Sequence, residues 1–194
     1  MKTNRLEAFS DGVIAIIITI MVIELKAPHE PTLTALFKLW PTFLSYLLSF
    51  IIIAIYWVNH HHLIQLAKKV DGYVLWANIH LLFWMSLIPF VTAYLGETHG
   101  NRLSVSLYAS VKLTSALAYY LLRTSIAAQH RTDKTASRLH QNMRHKNLIA
   151  IIIYALAVLC SLVWITGALI LVTLPAIMYF IPDKNVEIFA DQHI

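Results

Sequence analysis

The sequence predicts an all-α protein that crosses a lipid bilayer several times, and its composition and residue pattern lead to this fold class. Of the 194 residues, 58% are hydrophobic and only 13% are charged, whereas about a quarter of the residues are charged in ordinary soluble domains. The apolar residues fall in long stretches that are almost free of charge, and about 20 such residues span a bilayer as a helix. The alternating pattern of a membrane β-barrel does not occur in these stretches. A disordered chain and a soluble domain are both excluded.

Three spans are predicted in the N-terminal half. The first runs from about residue 5 to 25 and ends before two prolines. The second, about 33–66, is on the order of 50 Å long as a helix, longer than the roughly 30 Å hydrocarbon core. We therefore expect this helix to protrude, tilt or kink, and Pro41 marks a place for the kink. The third span is about 72–95, and a polar turn follows it.

Three further spans are predicted in the C-terminal half. The fourth is about 103–122, and a strongly basic polar segment follows it. Residues 147–181 are apolar for 35 residues, too many for one span, and Thr166-Gly167 predicts a hairpin turn that divides them. The fifth and sixth spans are then about 147–165 and 168–182. Residues 1-194 are thus predicted to form a single membrane domain with six transmembrane helices per subunit.

The distribution of Lys and Arg predicts the orientation, because cytoplasmic loops of membrane proteins are enriched in both. With six spans, both termini lie on one side of the membrane. The eleven basic residues of that side are Lys2, Arg5, Lys68, Lys69, Arg123, Arg131, Lys134, Arg138, Arg144, Lys146 and Lys184. The other side has only Lys26, Lys38 and Arg102, and Lys112 lies inside a span. We therefore predict a multi-pass protein of the cell membrane with both termini in the cytoplasm.

Several other classes of protein find no support in the sequence. The formal charge of +5 comes mostly from loops between apolar runs, which fits a membrane surface rather than a nucleic-acid partner. No CxxC, HExxH or P-loop motif occurs, so the sequence predicts neither an enzyme nor a bound metal or other cofactor. Cys160 is the single cysteine, and the chain therefore forms no internal disulfide.

Polar residues inside the spans form three clusters, and each is a functional hypothesis because polar groups are costly in lipid. The residues are Arg5, Phe9, Ser10 and Asp11 in the first span, Trp57, Asn59, His60 and His61 in the second, and Trp76, Asn78 and His80 in the third. All three clusters lie at the predicted cytoplasmic ends of their spans. This shared depth predicts a hydrogen-bonded network between helices, in which both Arg5 and Asp11 have partners. Anchoring at the membrane interface is the alternative.

One face of the first helix carries a stripe of isoleucines. At about 100° per residue, Gly12, Ile16, Ile20 and Ile23 share a narrow stripe, with Thr19 at its edge. Asp11 points away from this stripe, towards other helices of the subunit. The pattern fits the lining of a pore with hydrophobic rings. It also fits a surface that faces lipid or a packing partner. From the pattern alone, such a surface is more usual than a pore lining.

Two motifs carry a resemblance to a known family. The segment Arg5-x-x-x-Phe9-Ser10-Asp11, followed by the isoleucine-rich run, resembles the opening of the transmembrane protein 175 family, the lysosomal potassium channels of animals and their prokaryotic relatives. The segment Trp57-x-Asn59-His60-His61 is similar to the family's second-helix pattern. The six-span layout agrees with the same family.

The resemblance implies a channel that passes K⁺ and assembles, in its single-repeat prokaryotic members, as a homotetramer. It implies that the first helix lines the pore around a four-fold axis, with Ile16 as the narrowest ring and Ile20 and Ile23 as further rings. The motif residues would be tied to neighbouring helices. The Thr-Val-Gly-Tyr-Gly filter of the usual potassium channels is absent from the sequence. Permeant K⁺ is the only bound ion that the family implies.

Two other functions stay open at this point. A secondary transporter uses broken helices and an inverted repeat, and the sequence shows neither clearly, although Pro89 and Pro175 fall inside spans. A haem-binding redox protein would need axial histidines from facing helices, such as His60 or His61 with His80.

Overall fold

The computed structural model describes residues 2–130 and 134–180, without the side chains of residues 134–140, 142 and 180. The predicted all-α class is confirmed. The helices are α1 (Thr3–Ile23), α2 (Leu33–Lys38), α3 (Trp40–Gln65), α4 (Gly72–Ser86), α5 (Ile88–Glu97), α6 (Arg102–Ala127), α7 (Lys134–Ser161) and α8 (Ile165–Phe180), with a short 3-10 turn at Ala128–His130. The predicted end of the sixth span at residue 182 and the positions of Arg131 and Lys184 lie outside the described residues.

Five stretches of the described chain are long and apolar enough to cross a membrane. They are Thr3–Ile23, Trp40–Gln65, Gly72–Glu97, Arg102–His130 and Met143–Ser161. Helix α8 is also apolar, but its 16 residues reach only about 24 Å. The sixth predicted span therefore corresponds to a helix that is shorter than the other five.

Prolines mark both places where a predicted span divides. The second span consists of α2 and α3, which meet at Leu39, and Pro41 stands in the first turn of α3, as the kink prediction requires. The third span is divided at Leu87, and Pro89 stands in the first turn of α5. Proline has no backbone N–H to donate and is therefore tolerated best where a helix begins. Pro175, in contrast, lies within the continuous helix α8.

The turn between the last two helices lies earlier than predicted. The chain reverses at residues 162–164, where the N–H groups of Val163 and Trp164 donate to the carbonyl oxygen of Cys160 at 3.0 and 2.7 Å. Gly167 lies inside the first turn of α8, directly against the ring of Trp164, which leaves no room for a Cβ atom. The glycine thus serves close packing and not the turn, which is why a turn at Thr166-Gly167 was wrong.

Helix α6 is the most buried of the spanning helices and packs against α4, α5, α7 and α8. Its core includes polar groups. The hydroxyl oxygens of Ser49 and Tyr108 lie 2.8 Å apart, and Thr92 Oγ1 lies 2.7 Å from Ser49 Oγ, so that three helices share one buried chain of hydroxyls. Lys112 is fully buried one turn after Tyr108, with Nζ 4.9 Å from the centroid of the tyrosine ring. This cation–π contact stabilises the ammonium group of Lys112 inside the bundle.

Helix α1 lies against α3, α4 and α5. One face of α1 is buried there, and its residues are Leu6, Ser10, Ile14, Ile17 and Met21. Their spacing of three or four residues gives a single stripe along the helix. The opposite face of α1 makes no comparable contact within the described chain, so α1 forms an outer wall of the subunit.

Helices α3 and α5 approach closely at Gly96. A Cβ atom at this position would lie 2.7 Å from Thr42 Cα and 2.9 Å from Ser45 Oγ. The first of these neighbours is backbone, which cannot rotate away. Small residues at such crossings allow membrane helices to pack at short distance.

We predict that Gly96→Ala lowers the thermal unfolding midpoint of the purified protein, because the methyl group forces α3 and α5 apart at a cost of about 1–3 kcal/mol. Gly72→Ala is the matched control, since Gly72 is also helical and a Cβ atom there meets nothing within 4 Å. Gly72→Ala should leave the midpoint unchanged or raise it slightly, because alanine favours helix. Equal midpoints for the two variants would contradict the close approach.

Candidate functional site

Helix α1 runs antiparallel to α3, and two polar contacts set their register. Trp57 Nε1 donates to Asp11 Oδ1 at 2.9 Å, and His61 Nδ1 lies 2.6 Å from Glu7 Oε1. Asp11 comes one helical turn after Glu7, and Trp57 comes one turn before His61. The two contacts therefore lie side by side on facing stripes of the helices.

The two ring nitrogens of His61 have different partners. The amide nitrogen of Gln65 lies 2.9 Å from His61 Nε2. The carboxylate of Glu7 can only accept, so Nδ1 donates to it. The ring also stacks on Trp57 with centroids 6.4 Å apart. His61 is thus held in place by residues of both α1 and α3.

A second set of contacts joins three helices in the buried layer. Asn78 Nδ2 donates to Ser10 Oγ at 2.9 Å, and Asn78 Oδ1 accepts from His60 Nε2 at 2.7 Å. Ser10 Oγ in turn donates to the carbonyl oxygen of Leu6 at 2.8 Å. Ser10, His60 and Asn78 are all fully buried. Because α1, α3 and α4 each contribute one of these side chains, the network fixes the rotation of α1 about its own axis.

Arg5 does not join this network, contrary to expectation. Its side chain is exposed, and within the described part of the chain no hydrogen bond or ion pair forms to it. Asp11 is instead bound by Trp57. Arg5 and Asp11 are six residues apart and point about 120° away from each other on the helix, so they do not share the face that meets Trp57.

Trp76 and His80 also lie outside the network, although they come from the predicted third cluster. Trp76 is exposed, and His80 Nε2 accepts from Trp84 of its own helix at 2.9 Å. Residues two apart on a helix point about 160° apart. Since Asn78 faces inward, Trp76 and His80 must face outward.

The side chains of Asn59 and Phe9 form no bond to another helix within the described residues. The Asn59 side chain donates to the carbonyl oxygen of Ile55 in its own helix at 2.8 Å, and the Asn59 carbonyl oxygen accepts from the Tyr119 hydroxyl of α6 at 3.3 Å. Phe9 is exposed on α1. The side chains of the two sequence motifs that do bind across helices are those of Ser10, Asp11, Trp57, His60 and His61.

The isoleucine stripe lies on the free face of α1. Ile16 is 58% exposed, and Ile20 and Ile23 are exposed as well. A Cβ atom on Gly12 would meet nothing within 4 Å. Thr19 belongs to this face too, and its hydroxyl donates to the carbonyl oxygen of Ile16 at 2.8 Å. The stripe is therefore available to a partner, to lipid or to a pore.

The histidines do not form a pair that fits haem ligation. His60 Nε2 is bound to Asn78, and His80 Nε2 accepts from Trp84. Both nitrogens that would face an iron are already used within the protein. Across residues 2–130 and 134–180, no group of three or more His, Cys, Asp or Glu side chains is placed to hold a metal ion.

Glu7 is the member of the site that the sequence analysis did not predict, whereas Asn78 belongs to the predicted third cluster and does bind across helices. The spacing of Glu7 carried a signal. Glu7 and Asp11 are four residues apart, as are Trp57 and His61, and matching intervals on two antiparallel helices predict paired contacts.

Fold and site together define a polytopic α-helical membrane protein whose first helix is bound to its neighbours on one face and open on the other. The family described as "Endosomal/lysosomal potassium channel TMEM175" matches residues 5–89. A potassium channel of Chryseobacterium sp. (strain P1-3) is 44% identical over 188 residues, which cover 96% of this chain and 97% of the relative. The chain belongs to the TMEM175 family.

Two further likenesses extend over most of the chain. A potassium channel of Streptomyces collinus is 33% identical over 150 residues, which cover 71% of this chain and 73% of the relative. The crystal structure of a lysosomal potassium-selective channel TMEM175 homolog from Chamaesiphon minutus superposes with a TM-score of 0.83 at 30% identity. The superposition covers 92% of this chain and 96% of that one.

We predict that Asn78→Leu destabilises the protein by about 1–3 kcal/mol, because the buried His60 Nε2 loses its acceptor and the buried Ser10 Oγ loses its donor. Ser10→Ala should then cost less in the Asn78→Leu background than in the wild type, since both residues serve one network. Thermal unfolding of the four proteins in detergent measures this coupling.

Ser86→Ala is the matched control for this cycle. The Ser86 hydroxyl is exposed and bonds only to Phe83 in its own helix. Its effect should add to that of Asn78→Leu. Strict additivity for Ser10→Ala as well would show that Ser10 and Asn78 act independently.

Proposed function

We propose that the chain is one subunit of a potassium-permeable cation channel, and that four copies surround a central pore on a four-fold axis. On this proposal the protein is an ion channel and not an enzyme. The relatives from Chryseobacterium and Streptomyces, matched over most of their length, are potassium channels by name. The similar structure from Chamaesiphon minutus is that of a potassium-selective channel by its title.

The exposed face of α1 is the proposed lining of the pore. Gly12, Ile16, Ile20 and Ile23 form one stripe, with Thr19 beside it, and none of them is needed to pack the subunit. Four symmetry-related copies of α1 would bring each residue of the stripe into a ring. We assign Ile16 to the narrowest ring and Ile20 and Ile23 to wider rings towards the outer side.

Isoleucine rings would control ion passage by size and hydration. An apolar constriction binds no water, so a narrow ring empties of water or forces an ion to give up part of its hydration shell. K⁺ holds its water less tightly than Na⁺ and passes such a ring at lower cost. Conductance would then depend on how far the Ile16 ring opens, with no covalent chemistry.

The polar contacts of α1 would hold this lining in position. Asp11 and Ser10, on the side of α1 that faces the subunit, bind Trp57 and Asn78. If α1 turned about its axis, these bonds would break and the isoleucines would leave the pore. The motif would therefore act as a positioning device, while the stripe contacts the ion path.

Charges near the two ends of α1 would shape the entry of ions. Arg5 is exposed at the inner end, where a positive charge repels cations, and the carboxylates of Glu7 and Asp11, two and six residues further along α1, offset it. Glu24 stands at the outer end of α1. There it either enriches cations at the mouth or serves as a solvated interfacial charge.

We place the protein in the cell membrane with both termini in the cytoplasm. The end of α3 lies against the beginning of α1, since His61 contacts Glu7, and Lys68 and Lys69 follow it in the chain. Tyr179, near the end of α8, lines one pocket with Asn59 of α3. An excess of basic residues at one end is typical of the cytoplasmic side. The proposed partners are further copies of this chain and the lipid bilayer, with permeant K⁺ as the bound ion, no other cofactor and no nucleic acid.

We predict ohmic single-channel steps when the purified protein is reconstituted in planar bilayers. With K⁺ on one side and Na⁺ on the other, the reversal potential should shift towards the equilibrium potential of K⁺. A secondary transporter would instead give saturable flux that depends on a coupling ion. Purified protein with a Soret absorption band would favour the haem alternative, and neither result is expected. Native mass spectrometry should give four times the 22.1 kDa mass of the chain.

We predict that Ile16→Asn raises the single-channel conductance severalfold and weakens K⁺ over Na⁺ selectivity, because a polar ring stays hydrated. Ile152→Asn on α7 is the matched control, since Ile152 is also 58% exposed but lies outside the proposed pore. It should leave unitary conductance and selectivity as in the wild type. Unchanged currents in Ile16→Asn would refute the assignment of the narrowest ring.

A further inference from the structure

A cleft of about 580 Å³ lies at the end of the bundle where α1 begins. The loop after α3 and the first turn of α4 form one side, with Lys68, Lys69 and Tyr73. The end of α6 and the 3-10 turn form the other, with Ser125 and Gln129. The volume is in the range of sites that hold small organic ligands. None of these residues takes part in the site on α1.

The loop is fixed to α6 by side chains. Lys69 N–H donates to Gln129 Oε1 at 3.2 Å, and Gln129 Nε2 donates to the carbonyl oxygen of Lys69 at 3.0 Å. His130 Nε2 donates to the carbonyl oxygen of Leu66 at 2.7 Å. Leu66 is buried as well. These three hydrogen bonds and the buried leucine fix the backbone that carries the two lysines. A binding site on a fixed backbone loses little entropy when a ligand arrives.

The cleft carries two positive charges that none of its own residues neutralises by an ion pair. Lys68 and Lys69 are exposed, and neither has an ion pair or side-chain hydrogen bond within residues 2–130 and 134–180. The one carboxylate of the cleft, Asp71, accepts the Val74 N–H at 3.0 Å and caps α4. The lysines lie three and four residues beyond the end of α3. The partial negative charge of a helix C-terminus acts only within about the last turn, so it does not neutralise the two ammonium groups.

We propose that this cleft binds the phosphate group of an anionic phospholipid, through the ammonium groups of Lys68 and Lys69 and the hydroxyl of Tyr73. The position favours a lipid over a free anion. Tyr73 is 84% exposed in the first turn of the spanning stretch Gly72–Glu97, where exposed aromatic residues mark the level of the headgroups. Juxtamembrane lysines attract anionic lipid at about 1 kcal/mol each. This lipid site goes beyond ion conduction and does not depend on it.

The test compares lipid-dependent stabilisation between charge-matched variants of the full chain. In detergent, phosphatidylglycerol should raise the unfolding midpoint of the wild type more than phosphatidylcholine does, because a ligand of the folded state stabilises it. Lys68→Gln/Lys69→Gln should lose this difference. Lys26→Gln/Lys38→Gln removes the same charge from exposed residues at the opposite end of the bundle and should keep it.

A second variant separates specific binding from general charge. Tyr73→Phe removes one donor with no change in charge and should reduce the phosphatidylglycerol effect in part, with the midpoint without lipid unchanged. The same effect in all variants would overturn the site. Stabilisation by inorganic phosphate alone, lost in Lys68→Gln/Lys69→Gln, would overturn the lipid assignment and identify a free anion as the occupant. Native mass spectrometry should show one phosphatidylglycerol retained per subunit in the wild type.

Discussion

The rotation of α1 about its own axis is the constraint on which the rest of the arrangement depends. In the bilayer interior no water replaces a lost hydrogen-bond partner, so a buried polar contact selects one orientation of a helix more sharply than apolar packing does. Ser10 with Asn78 supplies such a buried contact on one side of α1, and the more exposed bond between Asp11 and Trp57 adds to it. Because these contacts fix the rotation of α1, they also fix the direction of the isoleucine stripe on its other side.

Much of the fold was predictable because the membrane imposes simple rules on a sequence. Long uncharged runs predict spans, and Pro41 predicts the break in the second one, where α3 begins. Helical geometry alone puts Ile16 and Asp11 on opposite faces of α1. The family assignment rested on a short motif whose spacing is specific, and the relatives matched over nearly the whole chain support it.

Other features depend on packing between distant segments and were therefore missed. Gly167 was predicted to form a turn, but its small size serves contact with Trp164. The members of the network were predicted from their depth in the membrane alone. Depth selects His80 as well, although the rotation of α4 turns that side chain outward. Glu7 has its partner because antiparallel helices meet in one register, and a sequence does not display that register directly. The buried setting of Lys112 likewise arises from α6 being central in the bundle.

The two faces of α1 separate the determinants of folding from those of the ion path proposed above. A change of size or polarity at Gly12 meets no atom of its own subunit, whereas a change at Ile14 or Ile17 enters the core. On that proposal, natural variation on the free face alters permeation while the subunit keeps its stability. Channels built on it would diverge in ion preference along a single helical stripe, with the remaining helices serving as a constant frame.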